Sequence, residues 1–362
     1  MSDDDSANTS GLVHELRVDV EEARSVTVSI LCMLGASDEE AKEQANLLTE
    51  ADLRGHPSHG LQRLPLLVQR IRNGVVQFGA PTTAEWVTAA AVKVDGAQGL
   101  GPAVAFRTIA MIGERAKETG VAVGLISNSN HLGMLAPYVQ AIAESGQIGI
   151  AMTTSESLVH PYGGRRAMIG TNPLAIGIPA TPGPFVLDMA TSEVSMGRIL
   201  AHVHRAEPIP LGWALDENGD PTTDPLAAAN GAISPFGAAK GYALGLAIEL
   251  LVAVLTQSAL GTSVVGTLDT DQPCNKGDVF VCIDPAVLGL DDVSTTVSLF
   301  LDEIRGEPAQ RQERPVRVPG DQSRDRRAQA LVDGLSIPEA VWREIQAIRQ
   351  DLWDTTGALD LV

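Results

Sequence analysis

Cysteine is scarce in this chain: Cys32, Cys274 and Cys282 are the three in 362 residues, an odd number with no CxxC pair. Such a set builds neither a disulfide framework nor a cysteine-based zinc site, and a reducing, cytoplasmic setting is expected. Basic residues are also few, 26 against 45 acidic ones, for a net charge of −19. A surface this negative repels nucleic-acid phosphate and anionic lipid alike, so neither is expected as a partner. The longest apolar run, Ala243 to Leu255, is interrupted by Glu249 and is shorter than a bilayer span requires. The opening MSDDDSANTSG has no apolar h-region and reads as a polar tail, not a signal peptide. Only five of the 26 basic residues are lysine, which makes Lys240, in a Gly-rich apolar context, stand out.

A further absence concerns dinucleotide binding. The strand-like pattern from Thr82 to Asp95 runs through Gly99-Leu100-Gly101 into an amphipathic helix that ends at Gly120. The third glycine of GxGxxG would fall at Val104, so the Rossmann fingerprint fails. Any dinucleotide must be held by other means.

What the chain does contain is a run of strand-like segments with reactive residues at their ends. At this length two or three compact units are expected. Asp19 with Glu22, and Ser37 with Glu40, match the capping-box pattern with Gly35 between them, predicting two helices, the second ending near Arg54-Gly55. The His-bearing segment GHPSHGLQR leads into a helix stopped at Asn73-Gly74; His56 and His59 are either surface residues of that turn or functional. Strands are predicted at 121–127 and 148–154 around a helix from about Met134 to Ser145. LAIGIP and PFVLDMA follow with short loops that leave no room for crossover helices. The expected fold is therefore mixed α/β, a largely antiparallel central sheet with flanking helices. After Arg198 the chain reads as loop-rich, with His202 and His204 a solvated pair lacking a third metal ligand. KGYALGLAIELLVAVL reads as a buried helix whose Lys240 must face solvent, a carboxylate or an anionic ligand. A strand is predicted at Asp278 to Ile283, a charged loop over Arg305 to Arg327, and a closing helix from Ile337 to Trp353 with Pro338 in its first turn.

DLRGHPSHGLQR, SNSNHLG, HPYGG with GTNPLAIGIP, LDMATS, IPLGWALDENGDPTTDP, KGYAL and VPGD occur in this order along nearly the whole chain. Together they resemble the malate/L-lactate dehydrogenase family, distinct from the Rossmann-type lactate and malate dehydrogenases. That family also includes ureidoglycolate and sulfolactate dehydrogenases, diketogulonate reductase and piperideine-2-carboxylate reductase. The resemblance implies an oxidoreductase using NAD or NADP on a non-Rossmann fold, a small 2-hydroxy or 2-keto acid substrate, and a homodimer with its site near the subunit boundary. It implies a helical domain of residues 1–78 with 325–362, a cofactor-binding sheet domain of 79–198 with 275–324, and a loop-rich helical insert of 199–274.

Residue roles follow from the same resemblance. His131 resembles a proton acceptor, and Ser58, His59 and Asp188 resemble an alternative catalytic relay. Arg63 and Thr171 match substrate contacts, Arg63 being expected on the helical face of His59. Leu132, Gly133, Met134, Leu135, Ser155, Asp188, Met189, Ala190, Lys240, Pro319, Gly320 and Asp321 match cofactor positions; no metal is implied. The chemistry is consistent: an imidazole exchanges the alkoxide proton near neutral pH, and a planar guanidinium grips a carboxylate. Three departures stand out: KGYAL for KGYGL, GAAK for GGxK, and PGD for PGE. Reduction of a cyclic imine carboxylate is the alternative within the enzyme class. A non-catalytic cofactor-binding protein and a metal-dependent hydrolase are the alternatives outside it.

Overall fold

The computed structural model describes residues 14–79, 81–311 and 315–356; the polar N-terminal tail lies outside them. The chain runs through β1 (Glu15–Val18), α1 (Val20–Met33), α2 (Asp38–Leu53), α3 (Leu64–Arg72), β2 (Thr83–Trp86), β3 (Ala91–Asp95), α4 (Gly101–Thr119), β4 (Val121–Ser127), α5 (Ala136–Glu144), β5 (Ile148–Thr153), β6 (Leu174–Ile178) and β7 (Phe185–Met189). It continues through α6 (Met196–Arg205), β8 (Ala214–Leu215), α7 (Pro225–Asn230), β9 (Ala232–Ile233), α8 (Ala239–Thr256), β10 (Asp278–Ile283), α9 (Val293–Gly306), α10 (Asp321–Asp333), β11 (Leu335–Pro338) and α11 (Glu339–Thr356).

Seven strands form the central sheet in the order β2-β3-β4-β10-β5-β6-β7. Only β3 and β4 are parallel, joined by α4; every other pair is antiparallel. Strand alternation divides the residues between two faces. Ala122, Ile126, Phe280, Ala151 and Ala175 pack with α4 and α5 in the largest core. Val123, Leu125, Val279, Val281, Met152 and Leu174 face α8 through Ile248 and Val252. The result is a sheet between helical layers. α8 is 18 residues long and, by length and composition alone, the one described helix apolar enough to cross a membrane. Here its Gly241, Gly245, Ile248, Val252 and Ala253 are buried.

A second core joins distant parts of the chain: Val26, Ile30, Leu48, Leu53, Leu61, Leu64 and Val68 pack with Leu335, Ile337, Trp342 and Ile345. The antiparallel pairing of β1 with β11 fastens it. Both expected N-caps are present, but only the second closes as a capping box. Asp19 accepts from the amides of Glu21 and Glu22, and Ser37 and Glu40 form a capping box, each worth about 1 kcal/mol.

Three expectations are corrected. Ile337 and Pro338 belong to β11, and the last helix begins only at Glu339, because pairing with β1 holds the preceding residues extended. The stretch after Arg198 begins inside α6, with Ser195 as its N-cap. Finally, the charged segment from Arg305 to Arg327 is helical from Asp321 onward; α10 has no buried residue and is composed largely of helix-favouring Arg, Gln, Ala and Leu.

Candidate active site

His59 and His131 come from segments 72 residues apart yet lie with ring centroids 5.8 Å apart and planes 16° from parallel. His59 ends a 3-10 turn (Pro57–His59), Gly60 follows, and a second 3-10 turn (Leu61–Arg63) carries Arg63. The expectation of one helical face is thus corrected: α3 starts only at Leu64. Asp52 of α2 fixes the junction by accepting from the Leu61 amide at 2.7 Å. Its carboxylate lies so close to Gly60 that a Cβ there would meet Oδ1 at 2.2 Å, so only glycine fits.

His131 is seated by the loop that fails as a phosphate-binding motif. The Asn130 amide donates to Gly99 O at 3.1 Å, and Asn130 Nδ2 donates to the carbonyls of Gln98 and Gly99. A Cβ at Gly101 would stand 2.4 Å from the His131 carbonyl oxygen. The glycines therefore allow backbone to pack on backbone beneath His131.

The Gly133 amide donates to His131 Nδ1 at 3.1 Å, which leaves the proton of the neutral ring on Nε2. Burial holds His131 well below its ordinary pKa, and Arg63, His59, Lys276 and Arg70 push in the same direction. His59 is lowered to about 4, first by burial and then by Arg63 and His56. Its Nδ1 lies 3.1 Å from Ser58 Oγ. Both rings are neutral near pH 7.

A cleft beside His131 is lined by Arg63, Arg70, Asn130, Gln44, Gly133 and Thr267. Arg63 Nη2 donates to Thr267 O at 2.5 Å. Arg70 donates to Asp269 O at 2.7 Å and to Asn130 Oδ1 at 3.1 Å, and its contact with the Asp269 carboxylate stretches to 3.5 Å. Neutral oxygens take the short bonds of both guanidiniums, while Asp269 and Glu156 act on them from further off, which leaves N–H donors for an anion.

Several residues of this neighbourhood escape sequence reasoning: Arg70, Asp52, Glu156, Glu249 and the pair Lys276 and Asp278. Lys276 is 1% exposed and reaches both oxygens of the fully buried Asp278, at 2.5 and 2.6 Å. Thr153 Oγ1 also donates to Asp278. The rarity of lysine, which singles out Lys240, applies equally to Lys276. Glu249, in the middle of an apolar helix, accepts from the Gly170 and Gly261 amides and from Asn172 Nδ2. It thereby holds the GTN segment. Thr171 is fixed there by its amide donating to Ser155 Oγ at 3.0 Å.

Residues suited to a cofactor are found next to that segment. Of four buried side-chain polar atoms without a partner among the described residues, three are Ser157 Oγ, Asn172 Oδ1 and Ser192 Oγ. They lie one or two residues past Ser155, Thr171 and Thr191. Buried polar atoms are normally paired, so these fit the hydroxyls and phosphate oxygens of a dinucleotide. Lys240 is exposed in the first turn of α8 with no hydrogen bond or ion pair among the described residues. It is free to meet a phosphate. Ala238, two residues earlier, sits at φ 56, where the glycine of GGxK would be unstrained.

The family model for malate/L-lactate dehydrogenase matches residues 18–346. The chain belongs to the malate/L-lactate dehydrogenase family. It is 37% identical to the malate/(S)-sulfolactate dehydrogenase of Methanothermus fervidus, over 92% of this chain and 97% of that one. It is 34% identical to the Delta(1)-pyrroline-2-carboxylate reductase 2 of Burkholderia multivorans, over 91% and 96%. The crystal structure of a dehydrogenase from Sinorhizobium meliloti superposes with a TM-score of 0.90 at 48% identity, covering 93% and 98% of the two chains.

As a malate/L-lactate dehydrogenase family oxidoreductase, the chain departs from several expected site roles. Among the described residues Asp188 makes no hydrogen bond to either histidine: its Oδ2 accepts from the Leu135 and Ala136 amides at 2.9 and 2.7 Å, at the start of α5. Its position opposite Ala175 at the end of the β6–β7 pair sends the carboxylate to that helix end. Burial raises its pKa to about 6 against those two amides. Leu132, Met134 and Leu135 are core side chains, so only the backbone of 132–135 is available to a ligand. The Asp321 carboxylate is held by Arg305, Arg324 and the Val318 amide, leaving Pro319 and Gly320 to offer main chain. Met189 and Ala190 are half-buried at the end of β7. Among the described residues no cluster of ligands suits a metal; His202 bonds to Pro208 O and packs on Trp213.

Proposed function

We propose that this chain is an NAD(P)-dependent oxidoreductase interconverting a small 2-hydroxy acid and its 2-keto acid. The observation that carries the reading is the stacked neutral pair His59 and His131 beside two arginines oriented by neutral oxygens. The nicotinamide, when bound, supplies or accepts the hydride at C2. Ser157, Asn172, Ser192 and Lys240 are the residues that would hold the cofactor. Arg63 takes the substrate carboxylate as a planar two-donor partner, which fixes C2 relative to the imidazoles. His131 presents Nε2–H to the carbonyl oxygen and stabilises the charge that develops there. His59, with Ser58 on its other nitrogen, is placed to exchange the proton with that oxygen or with solvent.

The two guanidiniums narrow the substrate. Arg63 and Arg70 line the cleft, whereas the buried Lys276 is spent on Asp278. A 2-hydroxy acid with a second acidic group, as in malate or sulfolactate, would give each of the two guanidiniums an anionic partner. Reduction of a cyclic imine carboxylate is the second reading, favoured by the pyrroline-2-carboxylate reductase relative and by the Ser58–His59 contact.

Oxidation of NADH and NADPH with oxaloacetate, sulfopyruvate, pyruvate and piperideine-2-carboxylate separates these readings. Turnover of a simple aldehyde but of no keto or imino acid would refute the role of Arg63. Cytoplasmic residence accords with three free cysteines, two of them buried. A homodimer completes the reading. The uncharged exposed stripe of α8, with Leu244, Leu250, Leu251, Val254 and Leu255, is the surface it would use, and sedimentation equilibrium tests it.

A further inference from the structure

The loop between α8 and β10 is sewn to the cleft from two sides. On one side, Glu156 Oε1 accepts from the Thr267 amide at 2.6 Å, the Leu268 amide at 2.7 Å and Thr267 Oγ1 at 3.1 Å. On the other, the Thr267 carbonyl accepts from Arg63, the Asp269 carbonyl from Arg70 and the Thr270 carbonyl from Asn73. Each of the four consecutive residues Thr267 to Thr270 thus has a backbone amide or carbonyl committed. Among the described residues Glu156 makes no direct ion pair with Arg63; its charge acts on the guanidinium only from a distance.

We propose that Glu156 is a positioning residue for Arg63, acting through the Thr267-Leu268 peptide units. A carboxylate accepting two adjacent amides fixes the plane of the peptide between them. With Thr267 so held, its carbonyl points at Arg63 Nη2 and sets which edge of the guanidinium faces the cleft. A direct carboxylate–arginine pair would orient Arg63 equally well but would cancel the charge the substrate needs. The relay through a neutral carbonyl keeps orientation and charge together. Glu156 thereby tunes affinity for the substrate's carboxylate and leaves the proton transfer at His59 and His131 untouched.

The proposal rests on the dehydrogenase reading above, and the test separates the two. Glu156→Gln replaces the charged acceptor of three donors by a neutral amide oxygen and so loosens the hold on the loop. The expected result is a KM for the 2-keto acid raised about tenfold, with kcat within about twofold and the cofactor Kd unchanged. Glu156→Asp, which keeps the charge on a shorter arm, recovers part of the loss. Hydrogen exchange of peptides covering 264–272 speeds up in Glu156→Gln without any substrate present. Unchanged exchange in that loop overturns the proposal whether or not turnover is measurable. Faster exchange with an unaltered KM overturns it too, since Glu156 would then only brace the loop. If the unmodified protein turns over no keto or imino acid, the functional reading itself fails.

Discussion

Asp52 is buried with one hydrogen bond to its carboxylate, and burial raises its pKa from 3.8 to about 7 against that single amide. The folded state therefore binds a proton more tightly than the unfolded chain does, and stability contributed by the protonated form is lost as pH rises from about 4 to about 7. At about 1.4 kcal/mol per pH unit, the interval from 3.8 to about 7 amounts to about 4 kcal/mol once both states are ionised. Asp52→Asn keeps the acceptor for the Leu61 amide and the shape against Gly60, but never ionises. Its advantage over the unmodified protein should be near zero below pH 4, about 2 kcal/mol at pH 5, and about 4 kcal/mol at most at pH 8. Urea unfolding of both proteins at those pH values, with equal m-values, measures it. A difference in stability that does not change with pH would refute the assignment, as would a loss of stability at pH 8. Because Asp52 supports the junction between His59 and Arg63, the same substitution should leave kcat within about twofold.

The other expectations concern the charges and the backbone around the cleft. Lys276→Met strands Asp278 in the core and should cost about 3–5 kcal/mol in denaturant unfolding, whereas the double change Lys276→Met with Asp278→Leu should recover most of it; no recovery would mean the pair is not the cause. Arg63→Lys loses the planar fork and the Thr267 contact, so steady-state kinetics should show KM for the keto acid rising by about 10- to 100-fold, more than kcat falls. Glu249→Gln turns one of the acceptors facing three donors into a donor, for a loss of about 1–3 kcal/mol, seen as a lower Tm together with weaker cofactor binding. Ala238→Gly relieves the positive φ ahead of α8 and should stabilise the fold by about 1 kcal/mol, provided calorimetry finds no change in cofactor affinity large enough to mask it.

Local signals in the sequence carry much of the fold. The caps at Asp19 and Ser37, the stop at Gly120 and the alternation of VAVGLIS each depend on residues a few positions apart, so reading the chain in order finds them. The strand at Leu335–Pro338 does not show itself that way, because its partner β1 lies more than 300 residues away and a proline before a helical pattern reads as a first turn. The histidines at 59 and 131 stand out because imidazoles in polar motifs are chemically distinctive. Glu156, Glu249 and Asp52 do not, since a lone carboxylate resembles any surface charge until its amide donors, from 9 to 112 residues distant, are known. Asp188 was legible as a buried carboxylate at a strand end. Its partner was not, because strand register and the approach of α5 decide which donor it meets.

The second core carries a consequence for how this protein comes off the ribosome. Leu53, Leu61 and Leu64, which flank His59 and Arg63, are packed by Leu335, Ile337, Trp342 and Ile345. The sheet that bears His131 lies almost wholly between residues 83 and 283 and has its strands available well before then. One imidazole thus waits in a formed scaffold for its neighbour, whose packing arrives only with residues 335–345. A chain truncated near residue 330 would retain every residue of the cleft and still lack the packing that brings the two rings together.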